Sequence, residues 1–303
     1  MADSEGNWTS DHKLLGISYV VLKMEYDAEA FGNGLPEISF VVKGQKTIYD
    51  PRTNTTGYSN NAALCLAHYQ TLEQVGPAAS YADEIDEAEL IAAANICDES
   101  VALAAGGSEK RYTVNGAIFL DQTPEDNMSD FIQAMAGWST FPEGKFVSSA
   151  GAYVPPTFEI TEDMMTGSVR LKNKAPKRDR ANVIKGLYTA AENRYQRTDF
   201  PSRRKQSYID ADGQELIRDM DLDLVASPAQ AQRIANIELE KGRLEKSIEL
   251  TCNLRAFPAQ TGKNVMLTIP RYGWARKVFQ VVSFNFNSDG DGGLQIELSL
   301  KKL

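Results

Sequence analysis

The chain has two histidines, His12 and His68, so any nucleophilic triad or Cys–His pair would have to use one of them. His12 lies in a polar N-terminal stretch, whereas His68 follows Cys65 by about one helical turn. Two possible ligands fall short of the four that a structural zinc site requires. We therefore expect no metal ion and interpret His68 as part of a helix that faces both core and solvent.

The three cysteines are widely spaced and odd in number. Cys65, Cys97 and Cys252 all lie in apolar surroundings, which is typical of buried free thiols. Free thiols persist in a reducing compartment. This pattern favours assembly in the bacterial cytoplasm.

Two Asp-Gly clusters resemble calcium loops, at residues 210–213 and 289–293. An EF-hand loop needs oxygen ligands at positions 1, 3 and 5, glycine at 6 and glutamate at 12. A loop that starts at Asn285 has Ile296 at position 12, and one that starts at Asp210 has Gly213 at position 4. Both fail, and hairpin turns are the favoured interpretation.

No other pattern defines a catalytic centre. Two glycine clusters, Gly106-Gly107 and the range 290–293, lack both the P-loop lysine and the glycine spacing of dinucleotide-binding loops. A pair of carboxylates could hydrolyse glycans, yet no pair stands out among 41 acidic residues. We therefore predict no catalytic, cofactor-binding or metal-binding residue and no enzymatic activity.

The net charge of −9 argues against a protein that holds nucleic acid by neutralising phosphates. An acidic wall would instead suit a passage through which DNA slides, although solubility alone also explains the charge. The main basic feature is residues 170–180, joined by Arg203-Arg204-Lys205. It lacks interleaved aromatic residues, so we interpret it as a solvated loop or the rim of a protein–protein contact.

Composition and local patterns limit the class of protein. Hydrophobic residues make up 42% and charged residues 24%, as in soluble globular proteins. The apolar stretches are too short to cross a bilayer, and the N-terminus has no secretory signal pattern. We expect no stable membrane insertion by this segment.

The elements that must position these residues follow from hydrophobic periodicity. In the first half it predicts strands at 15–26, 37–42, 111–120 and 140–153, and helices at 59–72, 86–97 and 123–136. In the second half it predicts strands at 168–172, 182–192, 206–209 and 215–218, a helix at 228–247, and strands at 248–257, 264–268, 277–285 and 294–301. The helix has an apolar stripe and a Lys241–Glu245 pair. The last four strands form a meander able to close as a small barrel.

These elements predict an α+β fold in three parts: a β segment at 1–59, an α/β module at 60–160 and a β-rich domain at 161–303. The last part contains the long helix and the four-strand barrel.

Several runs of sequence resemble the central region of lambda-type tail tip J proteins. The most specific pair is Tyr49-Asp50-Pro51-Arg52-Thr53 followed by Asn61-Ala62-Ala63-Leu64-Cys65. The resemblance continues through Asp199-Phe200-Pro201, Ala231-Gln232-Arg233-Ile234-Ala235 and Gly273-Trp274-Ala275-Arg276-Lys277-Val278-Phe279, and covers about residues 12–300. The C-terminal part is also similar, more loosely, to the hub proteins of contractile tails and type VI secretion spikes.

The resemblance implies a virion structural protein at the tail tip or baseplate hub. It implies a homotrimer whose small β-barrel hub domains form a ring with pseudo-sixfold symmetry, continue the tail tube and help gate DNA ejection at host attachment. Its partners would be itself and other tail tip and tail tube proteins, with DNA only passing through the lumen. J-type proteins are usually much longer, so we expect this chain to be a fragment or a split gene product and do not assign receptor binding to it.

Two other functions stay open. The first is a receptor-binding or carbohydrate-binding module of a phage tail, whose sign would be clustered tryptophan and tyrosine. Trp8, Trp138 and Trp274 lie far apart in sequence, which counts against it. The second is a tail-associated peptidoglycan hydrolase.

Overall fold

A computed structural model describes residues 19–25, 27, 29, 31, 34, 38–172, 180–243, 246–288 and 293–303. The chain divides into two compact units, Met1–Lys43 and Gly44–Leu303. The first helix begins within the second unit. The three-part division at residues 59/60 and 160/161 stays a prediction.

In the first unit, the strands predicted at 15–26 and 37–42 are wrong for the described residues. Residues 19–25 and 38–43 adopt neither helix nor strand. Their apolar side chains are exposed, with Val21 at 79% and Val41 at 77% of full exposure. A strand needs a neighbouring strand, and none of the described sheets includes these segments. Residues 15–18, 26 and 37 lie outside the described residues.

The described residues of the second unit form six α-helices: α1 (Ala62–Gln70), α2 (Tyr81–Glu84), α3 (Glu87–Asp98), α4 (Pro124–Ala134), α5 (Gln206–Asp212) and α6 (Pro228–Gly242). Side-chain oxygens cap four of them. Asn61, Asp86, Thr123 and Ser227 accept hydrogen bonds from backbone N–H groups of the first turn. These caps confirm the predicted starts of α1, α3, α4 and α6.

Three local predictions in the second half are wrong. Residues 206–209 were expected to form a strand but begin α5. The hairpin turn expected at 210–213 is the end of that helix, with Gly213 in the left-handed conformation at φ of 72°. Glycine is favoured at this C-terminal position because it has no Cβ. The long helix α6 ends at Gly242 rather than at residue 247, because Ser247 already begins a strand that pairs on both sides.

Short hairpins surround the helices of the second unit. They are β1 (Ile48–Asp50) with β2 (Thr55–Gly57), β3 (Ser100–Ala102) with β4 (Ser108–Lys110), and β5 (Trp138–Thr140) with β6 (Val147–Ser149). The last pair confirms the strands predicted within residues 140–153. The strand predicted at 111–120 is wrong, since Gly106 and Gly107 form the turn of a hairpin and residue 113 makes only an isolated bridge to Asn61.

Two small sheets follow in the second half. β9 (Val183–Lys185) lies between β12 (Arg203–Arg204) and β13 (Ile217–Asp219), and β10 (Leu187–Ala190) pairs with β11 (Gln196–Asp199). Gly186 divides the strand predicted at 182–192. A Cβ there would lie 1.9 Å from the Met220 carbonyl oxygen, so only glycine permits this close approach.

The largest element is a six-stranded sheet with the order β7-β15-β16-β17-β14-β8. Its strands are β7 (Phe158–Thr161), β8 (Arg170–Lys172), β14 (Ser247–Cys252), β15 (Asn264–Ile269), β16 (Trp274–Ser288) and β17 (Leu294–Lys302). The last four lie at the predicted positions, but the meander is limited to β15, β16 and β17, because β14 pairs with β17 and not with β15. The barrel is wrong, because β7 and β8 remain as edges and the sheet stays open within the described residues. The fold is α+β, as predicted.

Two hydrophobic cores build the second unit. One joins the helices to the small sheets, and the other lies under the six-stranded sheet. Trp138 fills the space beside Gly262, where a Cβ would come within 2.3 Å of the indole ring. The Lys301 ammonium donates a hydrogen bond to the Lys241 carbonyl at 3.0 Å, and partial burial lowers its pKa. These contacts fix the sheet against the helical part.

Candidate functional site

The six-stranded sheet has one apolar and one polar face, which follows from the period-two alternation of its strands. The core face contains Ile248, Leu250, Cys252, Ile296, Leu298 and Leu300, all buried. Their neighbours in sequence lie on the other face in two cross-strand rows: Glu249, Ser299 and Ser283, then Thr251, Glu297 and Asn285. Such a face is suited to contact with water rather than to further packing.

A shallow groove of about 360 Å³ crosses the polar face. Hydroxyl and amide groups dominate its lining, together with two carboxylates and one guanidinium. The polar lining residues are Ser168, Arg170, Glu249, Thr251, Ser283, Asn285, Glu297 and Ser299. No aromatic ring lines the groove, so it lacks the stacking platform by which proteins hold single-stranded nucleic acid.

Charge on this face is partly compensated. The Lys172 ammonium pairs with the Glu249 carboxylate across β8 and β14. The hydrogen bond and the positive charge of Lys172 lower the pKa of Glu249, so this carboxylate is ionised at neutral pH. Glu297 is exposed and forms no ion pair with another described residue. The face therefore carries hydroxyl groups with scattered charge of both signs.

The structure does not bring the candidate histidine and cysteine into a reactive pair. The His68 ring nitrogen Nε2 lies 2.9 Å from the Gln45 side-chain nitrogen, and partial burial lowers the pKa of His68. The Cys65 thiol donates to the Ser59 carbonyl at 3.4 Å. His12 lies outside the described residues. Among those that are described, no three His, Cys, Asp or Glu side chains converge as metal ligands.

All three thiols are far from reactive. Burial raises the pKa of Cys65 and Cys97 to about 12 and that of Cys252 to about 11. A thiolate is the nucleophilic form of cysteine, and it is scarce when the pKa is this high. The three cysteines are free, as predicted.

The Asp-Gly and basic motifs serve ordinary structural roles where they are described. Residues 210–213 end α5, and residues 289–292, outside the described residues, separate the paired strands β16 and β17. In the basic stretch, Arg170 and Lys172 lie on the edge strand β8, while residues 173–179 are outside the described residues. Arg204 pairs with Glu215 at 2.6 Å.

The tryptophans do not form a common surface among the described residues. Trp138 packs beside Gly262, and Trp274 packs against Phe279 with ring centroids 5.6 Å apart. The Lys277 ammonium lies 4.9 Å above the Trp274 ring. Trp8 lies outside the described residues.

The family is decided by a sequence comparison. Residues 117–282 match the Phage-tail_3 family, described as putative phage tail proteins. The chain belongs to this phage tail protein family. The match begins just before α4, includes α6 and the strands β7, β8, β14 and β15, and ends within β16. It therefore contains most of the six-stranded sheet. A search of curated proteins gives no match.

Solved structures give a fold comparison for this phage tail protein. A chain from the virion of a native gene transfer agent particle superposes with a TM-score of 0.50 at 17% identity, over 65% of this chain and 42% of that one. A tail protein from Neisseria meningitidis MC58 gives 0.45 at 16% identity, over 63% and 58%. The 43 kDa tail protein of prophage MuSo2 from Shewanella oneidensis gives 0.39 at 14%, over 61% and 54%. This chain thus spans about half the length of these neighbours.

As a phage tail protein the chain is a virion component. None of its described helices is long and apolar enough to span a membrane. Sequence reasoning missed the polar face as a surface. The signal was present in the alternation Leu294-Gln295-Ile296-Glu297-Leu298-Ser299-Leu300, which places every second residue on one side.

Proposed function

We propose that this phage tail protein is a structural, non-catalytic component of the tail tip or baseplate hub. Three copies form a ring that continues the tail tube, and the ring helps to gate DNA ejection at host attachment. Assembly takes place in the bacterial cytoplasm, and the partners are other copies and other tail tip and tail tube proteins. The proposal rests on the six-stranded sheet with one polar face and two open edges.

The polar face has the chemistry of a channel wall. Successive side chains of a strand face opposite sides of a barrel wall, so a sheet with one polar face can line a water-filled channel. Glu249 and Glu297 contribute carboxylates to this face, and the whole chain has a net charge of −9. These carboxylates balance Arg170 and Lys172 on the same face, so the wall offers no basic surface that would hold the DNA phosphates.

The open edges support assembly from several copies. An unpaired strand edge promotes pairing with another chain, and β7 and β8 are such edges in the described part of the sheet. A pseudo-sixfold ring would need two such sheets per copy, and the described residues contain one.

A DNA-binding assay tests the proposed wall. The wild-type chain should not retain double-stranded DNA on a native gel at about 150 mM salt. The double variant Glu249→Lys/Glu297→Lys converts the groove to a basic surface and should retain DNA in a salt-dependent manner. The control Glu143→Lys/Glu192→Lys makes the same charge change at residues outside the groove. Tight DNA binding by the wild type, or equal retention by both double variants, would contradict the wall.

The two rival functions predict different results. A glycan-binding module would be retained by cell-wall polysaccharide, but Trp274 is already packed against Phe279 and Lys277. A peptidoglycan hydrolase would clear a suspension of purified cell wall in a turbidity assay. We expect the chain to leave the turbidity unchanged, and clearing would replace the structural proposal by an enzymatic one.

A further inference from the structure

The C-terminal part of β16, from Ser283 onward, is called its distal part here. It extends beyond the neighbouring strand β15. Pairing of β15 and its preceding loop with β16 ends at Val281, which donates to the Lys263 carbonyl and accepts from the Gly262 N–H. From Ser283 to Asn287 the partner of β16 among the described strands is β17, on one side. The other side is therefore an open strand edge about five residues long.

Backbone alternation shows which groups face that open edge. In β17, the Lys302 N–H donates toward β14 and the Leu303 N–H donates toward β16. The backbone N–H and C=O groups of even-numbered β17 residues therefore point to β14, and those of odd-numbered residues point to β16. The partners of Glu297 and Gln295 on β16 are Asn285 and Asn287. Asn285 and Asn287 therefore point their backbone groups to β17. Phe284 and Phe286 alternate with them along the strand, so their N–H and C=O groups point to the open side.

The side chains of the same two residues extend the apolar core face of the sheet to this open edge. Phe284 and Phe286 lie opposite the buried Leu298 and Ile296, so their rings are on the core face. Phe284 meets the Phe257 ring at 5.8 Å, whereas Phe286 is 49% exposed. The open edge therefore combines outward backbone groups with an uncovered aromatic ring, a combination that promotes strand pairing.

The opposite edge of the sheet has the matching arrangement. In β14, the Thr251 carbonyl accepts a hydrogen bond from the Thr166 N–H on the β8 side. The backbone N–H and C=O groups of odd-numbered β14 residues therefore point to β8. Their partner residues on β8 are Arg170 and Lys172. Leu171 therefore points its backbone groups away from the sheet. It lies opposite the buried Ile248, on the core face, and is 38% exposed.

We infer that β8 of one copy pairs with the distal part of β16 of the next copy, with Leu171 opposite Phe286. We call this pairing the seam; it rests on the proposed ring. Both residues direct backbone groups outward and side chains to the core face, so the pleats of the two edges are in phase. Following the pairings from β16 through β17 and β14 to β8 makes β8 antiparallel to β16, so the seam is an antiparallel pair.

A second copy is the occupant because this chain supplies both halves of the seam. A contact between two different surfaces of the same chain is heterologous, and it closes into a ring when the rotation permits. Arg170 and Lys172 on the polar face would then adjoin Asn285 and Asn287 of the neighbouring strand, so no like charges meet across the seam.

Paired cysteines test the seam directly. Hydrogen-bonded antiparallel partners have Cα atoms about 5.5 Å apart, within disulfide range. Within one copy residues 171 and 286 are separated by three strand spacings, roughly 14 Å, so an internal disulfide is excluded. The Leu171→Cys/Phe286→Cys variant should give oxidised dimer and trimer bands on a non-reducing gel. The Leu171→Cys/Asn285→Cys control, with the second cysteine on the polar face, should remain monomeric.

A charge substitution provides a second readout. Phe286→Lys should weaken self-association at least about tenfold, because it places a charge where an aromatic side chain is buried. Val282→Lys introduces the same charge at an exposed residue of β16 outside the seam and should leave association within about twofold. Absence of the cross-linked bands, or equal effects of the two lysine variants, overturns the seam. If the wild type is nevertheless trimeric in solution, the proposed function stands and its contact lies elsewhere.

Discussion

Gln230 joins three parts of the second unit by hydrogen bonds, and its replacement by methionine should destabilise the protein strongly. Its amide oxygen accepts from the Thr113 N–H at 3.1 Å, and its amide nitrogen donates to the carbonyls of Thr113 and Ala134, both at 2.9 Å. The side chain is 1% exposed and lies at the first turn of α6. Methionine keeps the length of the side chain and removes every one of these hydrogen bonds.

The expected loss follows from the groups left without a partner. A buried polar group that loses its hydrogen bond costs about 1–3 kcal/mol. The Ala134 carbonyl is in the buried core, whereas Thr113 is half-buried and water reaches part of it. We expect Gln230→Met to lower the free energy of unfolding by about 3 kcal/mol, which corresponds to a melting temperature lower by roughly 6 °C.

Urea unfolding followed by circular dichroism measures this loss. The matched control is Gln232→Met on the same helix, where the amide makes one exposed hydrogen bond of 3.2 Å to the Pro201 carbonyl. That variant should change stability by less than about 1 kcal/mol. If both variants unfold at the same urea concentration, the bridging role assigned to Gln230 is refuted.

Three further predictions concern the packing, the charges and the thiols. Gly262→Ala should lower the free energy of unfolding by more than about 2 kcal/mol, because φ is +86° and the new Cβ would overlap Trp138. The control Gly273→Ala, with φ of +64° and open space around it, should lower it by only about 1–2 kcal/mol. Equal losses in thermal unfolding would contradict the contact between Gly262 and Trp138. Arg243 lowers the pKa of Asp212, so the ion pair stabilises the fold above pH about 4 and that contribution is lost as the pH falls through the lowered pKa. The gap in melting temperature between wild type and Asp212→Asn should therefore narrow from pH 7 to pH 2, whereas Asp219→Asn at an exposed pair should show almost no gap at either pH. Because burial raises the pKa of all three cysteines, a disulfide reagent at pH 8 should label them slowly in the native protein and completely in urea, and rapid native labelling would show that the thiols are accessible.

Local signals in the sequence were sufficient for the helix starts and for the positions of the C-terminal strands. Thr123 followed by Pro124 predicted α4, and Ser227 followed by Pro228 predicted α6, because a capping oxygen satisfies N–H groups that no other part of the helix can reach. Alternation predicted β14 to β17 for a similar reason, since side-chain direction in a strand is fixed by parity.

The sequence-based predictions were wrong where contacts between residues distant in sequence determine the structure. Residues 206–209 have the apolar content of a short strand, but Tyr208 packs against α6 through Glu240 and Arg243, and the segment is helical. Whether a meander closes depends on the strands that flank it, and β7 and β8 come from residues far away in sequence. The polar face was likewise invisible as a site, because its members come from β14, β16 and β17 and join only when the register is known.

Copies of this phage tail protein are proposed to assemble into a trimeric hub ring. The most direct measurement is the solution mass by light scattering after gel filtration, over a wide range of concentrations. We expect a trimer of the 33.4 kDa chain whose population rises with concentration. A mass that stays at one chain up to the highest concentration would show that this chain does not encode the ring, and a stable dimer or tetramer would contradict threefold assembly.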